Sequence, residues 1–133
     1  MPEYKAPLRD IQFVINEVLE SEKLHQTLPG YEEATEELMD AIVEEGAKFA
    51  ENVLAPLNQS GDEEGCRWDD GVVTTPAGFP DAYQQYVENG WPALSASVES
   101  GGQGMPNLLS IVLSELTGTA NWSWAMYPGL SLG

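Results

Sequence analysis

The sequence predicts a mainly α-helical fold, and three observations lead there. Two long stretches carry aliphatic side chains three and four residues apart, the spacing that lines one face of a helix. A third, shorter run repeats the pattern after residue 107. Between the runs, proline and glycine fall where a helix must stop or turn. One segment, around residues 58–79, reads differently, as a short hairpin or irregular excursion.

The first helix rests on Leu8, Ile11, Val14, Ile15, Val18 and Leu19, with Pro7 suited to its opening turn. Leu28-Pro29-Gly30 interrupts it. The second, from about Glu36 to Leu54, carries Leu38, Met39, Ile42, Val43, Ala47, Phe49, Ala50, Val53 and Leu54. Glu32, Glu33, Glu36 and Glu37 gather at its start, where the helix dipole favours carboxylates, and Pro56 is expected to close it. Asn58-Gln59-Ser60-Gly61-Asp62 is loop chemistry, and Asp70-Gly71 is a hairpin-turn dipeptide beside the β-favouring Val72-Val73-Thr74. Pro80 and Asp81 open a short helix with Tyr83, Tyr86 and Val87 inward and Gly90 as its stop. After a glycine-rich loop, Asn107 is expected to cap a helix bearing Leu108, Leu109, Val112, Leu113 and Leu116. Trp122, Trp124, Met126, Tyr127 and Leu130 follow, an apolar stretch with little sequence left to cover it. Such a surface is expected to meet a partner, and the chain reads as truncated there.

Composition narrows the function. With 22 acidic residues against 5 basic ones the formal charge is −17. Such a surface repels phosphate backbones and anionic lipid, so nucleic-acid and membrane-surface binding are disfavoured. No apolar run approaches the roughly 18 residues of a membrane span. The single cysteine, Cys66, excludes an internal disulfide framework, and a cytoplasmic location is the expectation.

The residues also exclude several chemistries. One histidine, His25, and one cysteine cannot compose a zinc site. Asp62-Glu63-Glu64 and Asp69-Asp70-Gly71 lack the alternating ligand spacing of a calcium loop. No G-x-S-x-G supports a Ser/His/Asp arrangement. Gly101-Gly102-Gln103-Gly104 is followed by no Lys-Ser/Thr and preceded by no strand, so it reads as a sharp turn before a helix and not as a phosphate cradle. Lys5, Arg9, Lys23, Lys48 and Arg67 are the only cations, leaving none beyond residue 67 to clamp a phosphate.

One ordered set of residues resembles a known family. Gly78-Phe79, Ala82-Tyr83, Tyr86, Gly90-Trp91, Leu94, Gly101-Gly102-Gln103-Gly104-Met105-Pro106, Ser114-Glu115-Leu116 and Ala120-Asn121 look like the N-terminal helical domain of the acyl-CoA dehydrogenases. The leader Tyr4-Lys5-Ala6-Pro7-Leu8-Arg9-Asp10 is similar to the extension of a bacterial branch that includes 3-methylmercaptopropionyl-CoA dehydrogenases. So is Ala55-Pro56-Leu57-Asn58 followed by Gly61-Asp62-Glu63-Glu64-Gly65-Cys66.

On this resemblance, residues 1–30 form an extension with one helix, and residues 31–133 form the helical domain, cut short at its C-terminal end. The family implies a β-domain and a helical bundle beyond it, FAD, an acyl-CoA substrate, an electron-transferring flavoprotein as electron acceptor, and a homo-oligomer. It also implies that a glutamate removes the α-proton while hydride leaves the β-carbon for the flavin. The flavin segment and that glutamate are expected outside these residues, so no catalytic residue is assigned here and the chain alone is expected to bind no FAD. The helix after Asn121 resembles the element lining the acyl pocket, which places Trp124, Ala125, Pro128, Gly129 and Leu132 against the substrate chain. Two other readings stay open: a short non-enzymatic acidic helical module that binds another protein, and an acyl-CoA-binding module without catalysis.

Overall fold

The computed structural model describes residues 3–131. Its helices are α1 (Leu8–Phe13), α2 (Ser21–Gln26), α3 (Glu36–Phe49), α4 (Pro56–Glu64), α5 (Phe79–Glu88), α6 (Asn107–Ala120) and α7 (Trp122–Ser131). An antiparallel hairpin, β1 (Arg67–Asp69) and β2 (Val72–Thr74), lies between α4 and α5, with Trp68 opposite Val73. The fold is mainly α with a small hairpin, as the sequence predicts. Asp70 and Gly71 turn it with φ of 43° and 84°, the left-handed pair that matches strand twist. Every strand residue is exposed, so the hairpin stands off the core.

The core forms where α3 packs on α6. Thr35 caps α3, its hydroxyl oxygen accepting from the Leu38 N–H at 3.2 Å, which satisfies one otherwise unpaired donor of the first turn. Met39, Val43, Ala47, Ala50 and Leu54 then bury one continuous face against Leu109, Val112, Leu113 and Leu116. Each large side chain so buried contributes about 1.5–3 kcal/mol.

Four local expectations are corrected. The second helix does not end at Pro56. Its ladder widens into a π turn at Ala50–Leu54, where the Ala55 N–H reaches the Ala50 carbonyl, and Pro56 then opens α4 as its first residue. A proline costs nothing there, because the first helical N–H has no intrahelical partner.

Residues 58–62, polar enough to read as loop, therefore lie inside α4. Tertiary contact decides the matter. A Cβ on Gly61 would stand 2.7 Å from the Phe79 ring, so only glycine lets α4 close on α5. Glu64 adds a bond from the Ala77 N–H at 2.9 Å.

The third correction concerns helix faces. A π turn at Val14–Val18 rotates the first helix, so Ile11 and Ile15 are buried while Val14, Val18 and Leu19 are exposed. A further short helix, α2, follows it before residue 30. In α5 the buried face is Phe79, Ala82 and Tyr86, spaced three and four apart, whereas Tyr83 and Val87 are exposed. Fourth, Asn107 makes no cap: it is the first residue of α6, and Pro106 precedes it without a side-chain bond.

The leader is tied to the same core. The Ala6 N–H donates to Glu51 at 2.8 Å, and the Tyr4 and Thr119 hydroxyls lie 2.9 Å apart. His25 is buried in α2 beside the Tyr31 ring, its Nδ1 without a hydrogen-bond partner. Burial holds its pKa below the usual 6.5, because the charged form loses water without gaining a partner. The unfolded chain then takes up the proton first as pH falls. This contribution to stability is present above 6.5 and is lost as pH drops toward the folded value. Urea midpoints of the protein and of His25→Gln, compared between about pH 8 and about pH 5, are expected to converge toward the acid end. Parallel pH profiles for the two proteins would refute this placement of His25.

Candidate functional site

The chain turns between α6 and α7 at Asn121, whose φ of −158° and ψ of 90° break the helix. The Asn121 side chain fixes that turn from both ends. Its Oδ1 accepts from the Trp124 N–H at 3.0 Å, capping α7, and its Nδ2 donates to the Leu54 carbonyl at 3.2 Å. The Leu54 carbonyl does not receive the Asn58 N–H, which turns to Ala55 instead. One buried amide therefore joins the end of the long α3 segment to the start of α7.

Held this way, α7 presents two faces. Trp124 turns inward and is fully buried. Its Nε1–H donates to the Phe79 carbonyl at 3.2 Å, and its ring meets Phe49 and Tyr86 edge-on, with centroids at 5.9 and 5.5 Å. On the other face, Ala125, Pro128 and Gly129 border a groove of about 550 Å³ shared with α6. Trp122 and Met126 border it from the same helix, Ser110, Ser114 and Thr117 from α6, and Trp91 and Ser95 from the segment after α5.

The sequence-predicted site is therefore brought together in part. Ala125, Pro128 and Gly129 share the groove. Trp124 does not line it; it borders a separate hollow of about 390 Å³ with Tyr83 and Tyr127. Leu132 lies outside the described residues. Trp122 and the α6 hydroxyls were missed as site residues. The signal for Trp122 was its two-residue offset from Trp124, which puts the two rings on different faces of one helix.

The groove is quiet electrostatically. No Asp, Glu, Lys, Arg or His is among its lining residues. Its α6 hydroxyls are already engaged: Ser114 donates to the Ser110 carbonyl at 2.9 Å, Thr117 to the Leu113 carbonyl at 3.0 Å, and Ser110 to the Ser95 hydroxyl at 2.9 Å. Asn107 and the unpartnered Trp91 Nε1–H border what is otherwise a mostly apolar space.

The glycine loop offers no anion site. Its four N–H groups, Gly101 to Gly104, donate to the carbonyls of Val98, Ser97, Ala93 and Ala96, so all are spent in closing the turn. These residues do not fit the diphosphate of FAD. Among the described residues no group of three or more His, Cys, Asp or Glu side chains is placed to hold a metal, and no helix is long and apolar enough to cross a membrane.

A helical body with an uncharged groove between its last two helices is the class of structure defined so far, and comparison with known proteins gives it a family. No protein-family model matches the chain. Over 130 residues it is 35% identical to the 3-methylmercaptopropionyl-CoA dehydrogenase of Ruegeria pomeroyi, covering 98% of this chain and 22% of that protein. Over 138 residues it is 28% identical to the butyryl-CoA dehydrogenase of Syntrophomonas wolfei subsp. wolfei, with the same coverage of both. The chain belongs to the acyl-CoA dehydrogenase family and spans 22% of the length of each of these relatives.

Proposed function

We propose that this chain serves as the helical part of an FAD-dependent acyl-CoA dehydrogenase, and that the groove between α6 and α7 forms one wall of the acyl-chain site. The observation that carries the reading is the match to two acyl-CoA dehydrogenases along 98% of the chain. The groove supports it: an acyl chain needs an apolar, uncharged slot, and Ala125, Pro128 and Gly129 leave such a space beside α6.

In this reading FAD and the base that removes the α-proton belong to parts of the full-length protein beyond the described residues, and these residues alone bind no flavin. The protein oxidises an acyl-CoA thioester at its α,β-bond, passes the electrons to an electron-transferring flavoprotein, and works as a cytoplasmic homo-oligomer. The helical part excludes water from the reacting carbons, which strengthens the polarisation of the thioester. Purified full-length protein is expected to be yellow and to bleach anaerobically on mixing with an acyl-CoA. A colourless protein, or a flavin absorbance that no acyl-CoA thioester alters, would overturn the reading.

A further inference from the structure

We propose that Trp122, and not Trp124, sets which acyl groups the groove between α6 and α7 admits; the inference rests on the acyl-CoA reading above. Trp122 borders the groove with 69% of its surface exposed, whereas Trp124 is wholly buried. The Trp122 indole lies on bare backbone. A Cβ added to Gly118 would meet its Cε3 at 3.1 Å and its Cζ3 at 3.3 Å, so glycine at that position is what lets the ring lie down on α6. Among the described residues no hydrogen bond holds the indole.

Shape is what the α7 side of this groove can select by. The hydroxyl protons of Ser110, Ser114 and Thr117 are spent on Ser95, Ser110 and Leu113, which leaves Asn107 and the unpartnered Trp91 Nε1–H as the polar groups on the other side. On the α7 side the other bordering groups are small, as in Ala125 and Gly129, or flexible, as in Met126. Trp122 is the large rigid group among them. It therefore decides how much of the space a ligand can occupy on that side, while Tyr86 and Trp91 bound it elsewhere. In an apolar pocket one methylene changes kcat/KM by about 10- to 200-fold, and an indole occupies the room of several.

The test is kcat/KM of the full-length protein across straight-chain acyl-CoAs of increasing length and one branched member. Trp122→Ala is expected to raise the ratio of longer or branched to short substrates at least about tenfold, with Trp122→Phe in between. Gly118→Ala, which lifts the indole by a few tenths of an ångström, is expected to alter the same ratio while the melting temperature holds. Melting temperatures of the Trp122 variants are compared with that of the wild type, so that a folding defect is told from a change in selectivity. A ratio that stays at the wild-type value in Trp122→Ala overturns the inference. So does a uniform change for every substrate, which marks Trp122 as a contact to another part of the protein. Wild-type protein that turns over no acyl-CoA would overturn the functional reading itself, a result separate from either.

Discussion

Trp124→Ala is expected to destabilise the protein by about 3–5 kcal/mol, the cost of removing a large aromatic side chain from a packed core. The case begins with its place. The indole is wholly buried and touches three aromatic rings from α3 and α5, those of Phe49, Tyr83 and Tyr86. Alanine leaves a void among elements already braced against each other, Phe79 against Gly61 and Tyr127 edge-on to Phe79 at 86°. Collapse into the void is therefore limited, and the cost stays near the upper end of the range. The substitution also removes a second donor from the Phe79 carbonyl, which opens the α5 ladder and accepts the indole N–H at 3.2 Å as well. Trp124→Phe isolates this second term: it keeps a ring and loses the donor, and about 0.5–1.5 kcal/mol is expected from the bond. Urea unfolding of the three proteins measures both. A cost for Trp124→Ala no larger than that of Trp122→Ala would show that Trp124 is not the centre of this packing.

That result bears on how the groove was read from sequence. Trp124, Ala125, Pro128 and Gly129 came as one group from the resemblance, because a family element supplies a stretch of chain and not a helical phase. The phase depends on Asn121, whose amide fixes where α7 begins. Residues 124 and 125 are then split between core and groove. Trp122, read from sequence only as part of an apolar stretch, becomes the exposed indole at the groove.

The fold was legible where a pattern is local. The runs of α3 and α6, the Asp70-Gly71 turn and the stop at Gly90 each depend on residues within one or two turns of chain. It was illegible where a distant residue decides. Polar Asn58 to Asp62 is helical because Phe79 needs the bare face of Gly61. The π turns rotate faces by an amount that periodicity at 3.6 residues cannot anticipate, which is why Val14 and Val18 point outward. Acidity, the loudest feature of composition, has no part in the groove, which no charged residue lines.

The second large effect is expected at Asn121. Asn121→Ala removes two buried hydrogen bonds at once and leaves a donor, the Trp124 N–H, and an acceptor, the Leu54 carbonyl, without partners. Each stranded group costs about 1–3 kcal/mol, so a loss of about 2–6 kcal/mol is expected, comparable to Trp124→Ala. Asp is the instructive replacement. Its carboxylate can still cap α7 through the Trp124 N–H, but it cannot donate to Leu54, and it would hold a negative charge against that carbonyl at a position only 1% exposed. Asn121→Asp is therefore expected to be at least as harmful as alanine at neutral pH and to recover as the carboxyl protonates, because a neutral acid can both donate and accept. Ordinary N-caps behave in the opposite way, since Asp and Asn are nearly interchangeable there. Unfolding midpoints of Asn121→Asp and Asn121→Ala across the acid range distinguish the two. If Asp is tolerated like Asn at neutral pH, the bond to Leu54 contributes little, and α7 is set by its cap alone.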